Sequence, residues 1–163
     1  MRAPVIMERT IQVEHVMIKS RKPFAEVRAA LESLVPQLDT LIFVLLQRGE
    51  SERARTDLEG GPELSIFSSR DHGALLQITG QSRKALQYDI GNPLTASRMT
   101  RHQLSASLYA PQRVVLYENE AGHATFEYDR PSSLLGQFGD ERVTAVAREL
   151  DANLERVLVK AAS

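Results

Sequence analysis

Arg113 carries the clearest chemical potential in this sequence. A guanidinium can stack on an aromatic ring and can grip a carboxylate through two parallel hydrogen bonds. Its surroundings read as two strands, Leu108 to Glu118 and His123 to Asp129, joined by Asn119-Glu120-Ala121-Gly122. Taking that turn as four residues places Glu118 opposite His123, Tyr117 opposite Ala124, Val115 opposite Phe126 and Arg113 opposite Tyr128. On this register Arg113 lies at the end of a mainly apolar face, beside Tyr128 and close to Asp129-Arg130. Two readings follow: an anion-binding arginine at the mouth of a pocket, or a buried ion pair with Asp129 that orders the sheet end.

Asn92 stands before Pro93. It either presents its amide to a ligand at a helix N-terminus, where free N–H groups favour anions, or serves only as the helix cap. Tyr109 and Tyr128 read first as half-buried wedges with tethered hydroxyls. The candidate ligand-binding set is therefore Asn92, Tyr109, Arg113, Tyr128, Asp129 and Arg130.

The remaining chemistry is sparse. The histidines, His15, His72, His102 and His123, show no HxH or HxxxH spacing. A site assembled from His72, His102 and Asp71 is conceivable, but turn and surface positions explain them without a metal. Ser132-Ser133 lacks the strand–elbow–helix context of an activated nucleophile. There is no phosphate loop, no GxGxxG and no pair of catalytic carboxylates. No catalytic residue, metal or cofactor is assigned.

The elements that must position these residues follow from periodicity. With 163 residues and 42% hydrophobic content, the chain reads as one domain able to bury a core without staples. The net charge of −1, with no basic stripe, argues against a nucleic-acid partner. The lack of cysteine removes disulfides and thiol chemistry and fits the cytoplasm. The longest apolar run, Leu41 to Leu46, is too short to span a membrane.

Residues 1–9 read as a loose leader and Thr10 to Lys19 as a first strand. Ser20 then caps a helix over 23–35 with Phe24, Val27, Leu31 and Leu34 on one face. A second helix over 37–48 places Phe43 and Val44 off its apolar stripe, so it is buried on more than one side or covered by a partner chain. Residues 51–59 form a short solvated helix, making 37–59 a helical insertion. Leu64 to Ser69 and Ala74 to Thr79 read as a hairpin turning at Arg70-Asp71-His72-Gly73. Lys84 to Ile90 is a strand, and Pro93 to His102 a helix capped by Asn92. Pro111 interrupts the strand at 108–118 and marks a sheet edge or bulge. Residues 132–138 make a turn or short helix. Asp140 caps the longest helix, whose stripe is Val143, Val146, Ala147, Leu150, Leu154, Val157 and Leu158.

Gly91-Asn92-Pro93, Leu108-Tyr109-Ala110-Pro111, Arg113-Val114-Val115-Leu116-Tyr117-Glu118 and Asp129-Arg130-Pro131-Ser132-Ser133 together resemble the DUF302 family, a domain of unknown function. The resemblance spans roughly residues 70–135. It implies an α+β fold of the TATA-binding-protein-like group: an antiparallel sheet of about five strands, covered on one face by helices. It also implies a homodimer. Many members of the family have a cysteine where this chain has Gly91, so a thiol-based role does not transfer.

Three functions remain open. The first is a small-ligand-binding module whose Arg/Tyr/Asn-lined pocket takes a small anion. The second is a hydrolase-like enzyme using His72 or His102 with Asp71 or Asp129. The third is an interaction protein built on the sheet edge or the 37–48 helix.

Overall fold

The computed structural model describes all residues 1–163. Five strands form one antiparallel sheet in the order β1-β5-β4-β3-β2. They are β1 (His15–Pro23), β2 (Ser65–Asp71), β3 (Ala85–Gly91), β4 (Gln112–Glu118) and β5 (His123–Asp129). One face is covered by α1 (Phe24–Leu34) and by the terminal α7 (Glu141–Ala162), which also pack on each other. The class is α+β, with the long C-terminal helix on the sheet as expected.

The register explains which face is covered. Val114 pairs with Tyr128 and Leu116 with Phe126; Tyr88 pairs with Val114 and Ile90 with Gln112. Side chains alternate along a strand, so Val114, Leu116, Phe126, Tyr128, Leu86, Tyr88 and Ile90 share the helix side, where all are buried. Helix α7 answers with Val143, Val146, Ala147, Leu150, Leu154 and Leu158, all buried. Val157 is only partly buried at the edge of that stripe. Burial of each Val, Leu, Ile or Phe among these contributes about 1.5–3 kcal/mol.

The expected partnership of Arg113 with Tyr128 is displaced by one residue. Asn119 is not part of the loop. Its N–H donates to the His123 carbonyl at 2.8 Å, and its own carbonyl accepts from Gly122 N–H at 3.0 Å. The turn therefore has three residues and ends on Gly122 in the left-handed region, φ 80°. A one-residue slip turns every side chain to the other face. Arg113 is exposed on the helix-free side, whereas Tyr128 is buried under α7.

Other expectations shift for local reasons. Residues 1–14 form no helix or strand, and β1 starts at His15 rather than Thr10. Arg9 nevertheless reaches Gln137 at 2.8 Å and lies over the Phe138 ring at 5.5 Å. Ser20 does not cap α1. It belongs to β1 and donates to the Ala162 carbonyl at 2.6 Å, tying the first strand to the end of α7.

The 72–79 segment is helical, not a strand. Asp71 Oδ1 accepts from Ala74 N–H at 2.8 Å and caps α4 (His72–Leu75), which continues as a 3₁₀ turn, Leu76–Thr79, ending at left-handed Gly80. Gly73 is required for close packing, not for a left-handed turn. A Cβ there would collide with the Arg83 carbonyl oxygen and lie 3.1 Å from Ala85 N.

Pro111 precedes β4 instead of interrupting it; the residues before it form a 3₁₀ turn, Leu104–Tyr109. Since proline cannot donate to a ladder, the central strand begins after it. Helix α2 is shorter than expected, Leu41–Gln47, and packs with α3 (Ser51–Glu59) as a small separate cluster of Ile42, Leu45 and Ala54. Leu41, Phe43, Val44 and Leu46 stay exposed, so α2 is not buried on a second side within the chain. Helix α5 (Pro93–Thr100) and α6 (Pro131–Leu135) close the end of the core.

Candidate functional site

The helix-free side of the sheet carries a polar cluster. Four strands and the start of α4 contribute to it. Strand β1 presents His15, β5 presents Glu127 and Asp129, β4 presents Arg113, and β3 presents Gln87. His72 arrives from α4. These six side chains border a shallow hollow of about 400 Å³.

His15 anchors one wall. Its Nε2 lies 2.7 Å from Glu127 Oε2 and its Nδ1 lies 2.8 Å from Asp129 Oδ1. The hydrogen bond to Asp129, then that to Glu127, holds the imidazole pKa above its ordinary 6.5; when protonated on both nitrogens, the ring donates to both carboxylates. Tyr117 donates its hydroxyl to Glu127 Oε1, and this bond, followed by the one from His15, holds the Glu127 carboxyl below its usual range. The two carboxylates sit on opposite nitrogens of one ring and do not converge on a common point. No group of three or more His, Asp or Glu side chains is arranged to hold a metal ion.

The opposite wall is also engaged. Asp89 accepts from Ser68 at 2.6 Å and from Arg70 at 3.0 Å. His72 Nε2 is 3.1 Å from Gln87 Oε1. Arg113 stands between these walls, opposite Asp89 in the ladder, with no ion pair or side-chain hydrogen bond of its own. Every carboxylate of the cluster is held by a protein donor, while this guanidinium keeps its donors free.

The six residues named from sequence do not meet in one pocket. Arg113 and Asp129 border both the 400 Å³ hollow and a small cleft of about 40 Å³ that includes Tyr109. Tyr128 borders the larger hollow, but its ring points to the covered side and is 3% exposed. Its hydroxyl is buried without a hydrogen-bond partner, and burial, with Glu155 nearby, pushes its pKa up to about 12. Tyr109 accepts from Gln137 at 2.9 Å. Asn92 accepts from Leu94 and Thr95 N–H at 2.8 and 3.2 Å and donates to the Glu63 carbonyl at 2.9 Å, which is capping in full. Arg130 pairs with Glu14 at 2.9 Å and Glu155 at 3.1 Å and clamps β5 to α7.

The residues that sequence reasoning passed over are His15, Glu127 and Gln87. Their signal was alternation: His15, Met17 and Lys19 face one way along β1, Val16 and Ile18 the other. It becomes readable only once β1 is placed beside β5.

An antiparallel five-stranded sheet with helices on one face and a polar cluster on the other is the architectural class. The sequence profile of DUF302, described as a domain of unknown function, matches residues 51–161, so the chain belongs to the DUF302 family. A crystal structure of an uncharacterized conserved DUF302 protein from Bacillus stearothermophilus is similar in fold, with a TM-score of 0.66 and 17% identity. The match covers 90% of this chain and 97% of that one. No curated protein matches the chain. No helix is long and apolar enough to cross a membrane.

Proposed function

We propose that the chain is a cytoplasmic, homodimeric ligand-binding module, with the helix-free sheet face as its binding surface. The observation that carries this reading is the unpaired guanidinium of Arg113 in a hollow whose carboxylates are already satisfied. A small carboxylate fits it: two parallel hydrogen bonds from Arg113 hold the anion. Asp129 and Glu127 retain acceptor capacity for a hydroxyl or amino group on the same molecule, which selects small hydroxy- or amino-carboxylates. Tyr109 and Asp129 border the cleft on the other side of Arg113 and limit the size of what it holds. Asn92, Tyr128 and Arg130 support the site indirectly, by capping α5, by filling the core and by clamping β5.

A hydrolytic role for the same face is less well supported. His15 has the raised pKa and carboxylate partners of an enzyme's histidine, but both ring nitrogens are occupied and neither is free to accept a proton from water. The other histidine of the hollow, His72, meets an amide rather than Asp71, which is spent on capping.

The dimer in this reading uses α2, where Leu41, Phe43, Val44 and Leu46 form an exposed apolar group. Sedimentation of Phe43→Glu tests it: a monomer supports the assignment, and an unchanged dimer removes it.

The ligand reading is tested by a thermal-shift screen of small hydroxy- and amino-carboxylates, repeated on Arg113→Ala. Stabilisation of the wild type that vanishes in the variant supports it. Equal stabilisation of both proteins, or none of either, overturns it.

A further inference from the structure

A larger hollow lies elsewhere. It has a volume of about 540 Å³ and lies between α1 and the turn from α4 into β3. Small-ligand sites occupy about 300–1,000 Å³. Phe24, Ala29 and Leu86 give it an apolar floor, and Arg28, Arg83 and Lys84 stand around it.

The charges at this hollow are unequal in what they leave free. Arg28 Nε donates to Glu32 Oε1 at 3.0 Å, and Lys84 Nζ to Glu118 Oε2 at 3.0 Å. The Tyr88 hydroxyl donates to the same Glu32 oxygen at 2.9 Å, anchoring that network in the core. Asp71 is occupied by its capping bond to Ala74 N–H. Arg83 alone among the hollow's charged residues has no ion pair or side-chain hydrogen bond. Its backbone is nonetheless fixed, because Gly73 lets α4 pack directly against the Arg83 carbonyl.

We propose that this hollow is a second ligand site, independent of the Arg113 surface, for a small monocarboxylate with an apolar tail. Arg83 takes the single negative charge, and the floor formed by Phe24, Ala29 and Leu86 takes the tail. One unpaired cation selects a monoanion, and the apolar floor disfavours an ion without a hydrocarbon body.

Amide chemical-shift titration of the full chain with hexanoate tests the assignment, with hexanol and inorganic phosphate as comparison probes. The expected result is a saturable shift of amides in 24–32 and 73–74. Hexanol and phosphate should each bind at least tenfold more weakly, Arg83→Ala should lose at least tenfold in hexanoate affinity, and the cavity-filling Ala29→Phe should abolish binding. Four results would overturn it: no saturable shift, shifts confined to Gln87, Arg113 and Glu127, phosphate or hexanol binding as tightly as hexanoate, or hexanoate affinity unchanged in Arg83→Ala. The side chain of Arg83 is exposed and makes no ion pair or side-chain hydrogen bond, so its truncation leaves the fold available for the measurement.

Discussion

Arg113 and Tyr128 lie on opposite sides of the sheet, because Val114 is the partner that the hairpin gives to Tyr128. The phenol goes into the core beneath α7, and the guanidinium goes to solvent beside Asp89 and Asp129. The arrangement moves the proposed binding surface away from the helix–sheet seam and onto the exposed face.

Tyr128→Phe follows directly. The hydroxyl is buried and has no partner, so the wild-type protein bears an uncompensated desolvation cost. Removing it should leave stability unchanged or raise it by up to about 1 kcal/mol. Tyr128→Ala, which empties the site, should cost about 3–5 kcal/mol. Urea unfolding of both variants checks the contrast; a large loss in the phenylalanine variant would reveal a partner for the hydroxyl.

The bridge from His15 to Glu127 and Asp129 makes stability depend on pH at both ends of a window. The His15 pKa is raised on folding, so its contribution is fully present below about 6.5 and is lost as pH rises through the higher folded value. The Glu127 pKa is lowered, so its contribution is present above about 4.5 and is lost as pH falls through the lower folded value. Melting temperature measured against pH should fall as pH rises above about 6.5 in the wild type, and His15→Gln should flatten that fall. The group is half-exposed, so the effect is small and screened by salt.

Asp151, 9% exposed on α7, accepts from Ser132 N–H at 2.8 Å and from the Ser132 hydroxyl at 2.5 Å. It therefore holds the first turn of α6 onto the terminal helix, and the serine is a structural donor. Asp151→Ala leaves these donors without their acceptor and should cost about 1.5–3 kcal/mol. Ser132→Ala should cost about 0.5–1.5 kcal/mol, read by the same chemical denaturation.

Gly73→Ala should be far worse than its chemistry suggests. The added Cβ meets backbone, the Arg83 carbonyl, which cannot swing aside as a side chain could. Overpacking of this kind costs about 1–3 kcal/mol. A melting temperature equal to that of the wild type would contradict the close approach of α4 to the β3 turn.

Local signals in the sequence were read well where one residue type has one physical use. Asn92-Pro93 caps α5, Asp140 caps α7 through Arg142 N–H, and His123 to Asp129 is β5 to the residue. The stripe on α7 fixed the helix face, so Val146→Asp should still prevent folding by burying a charge against the sheet. Register was lost because Gly122 admits a three-residue turn as readily as a four-residue one. The 72–79 segment was misread because Ala74, Leu76 and Ile78 alternate like a strand, while the Asp71 cap that decides for helix is a single hydrogen bond. His15 was passed over because Glu127 and Asp129 are 112 and 114 positions away in sequence. Sheet order, which periodicity does not encode, is what brings them together.

The most direct test of the central assignment is the side-chain Nε–H resonance of Arg113 during titration with lactate and with serine. An available guanidinium that binds carboxylate predicts a saturable shift of that resonance, while those of Arg70 and Arg130, held by Asp89, Glu14 and Glu155, stay in place. An Arg113 resonance that does not move, or that moves no more than the other two, would contradict it.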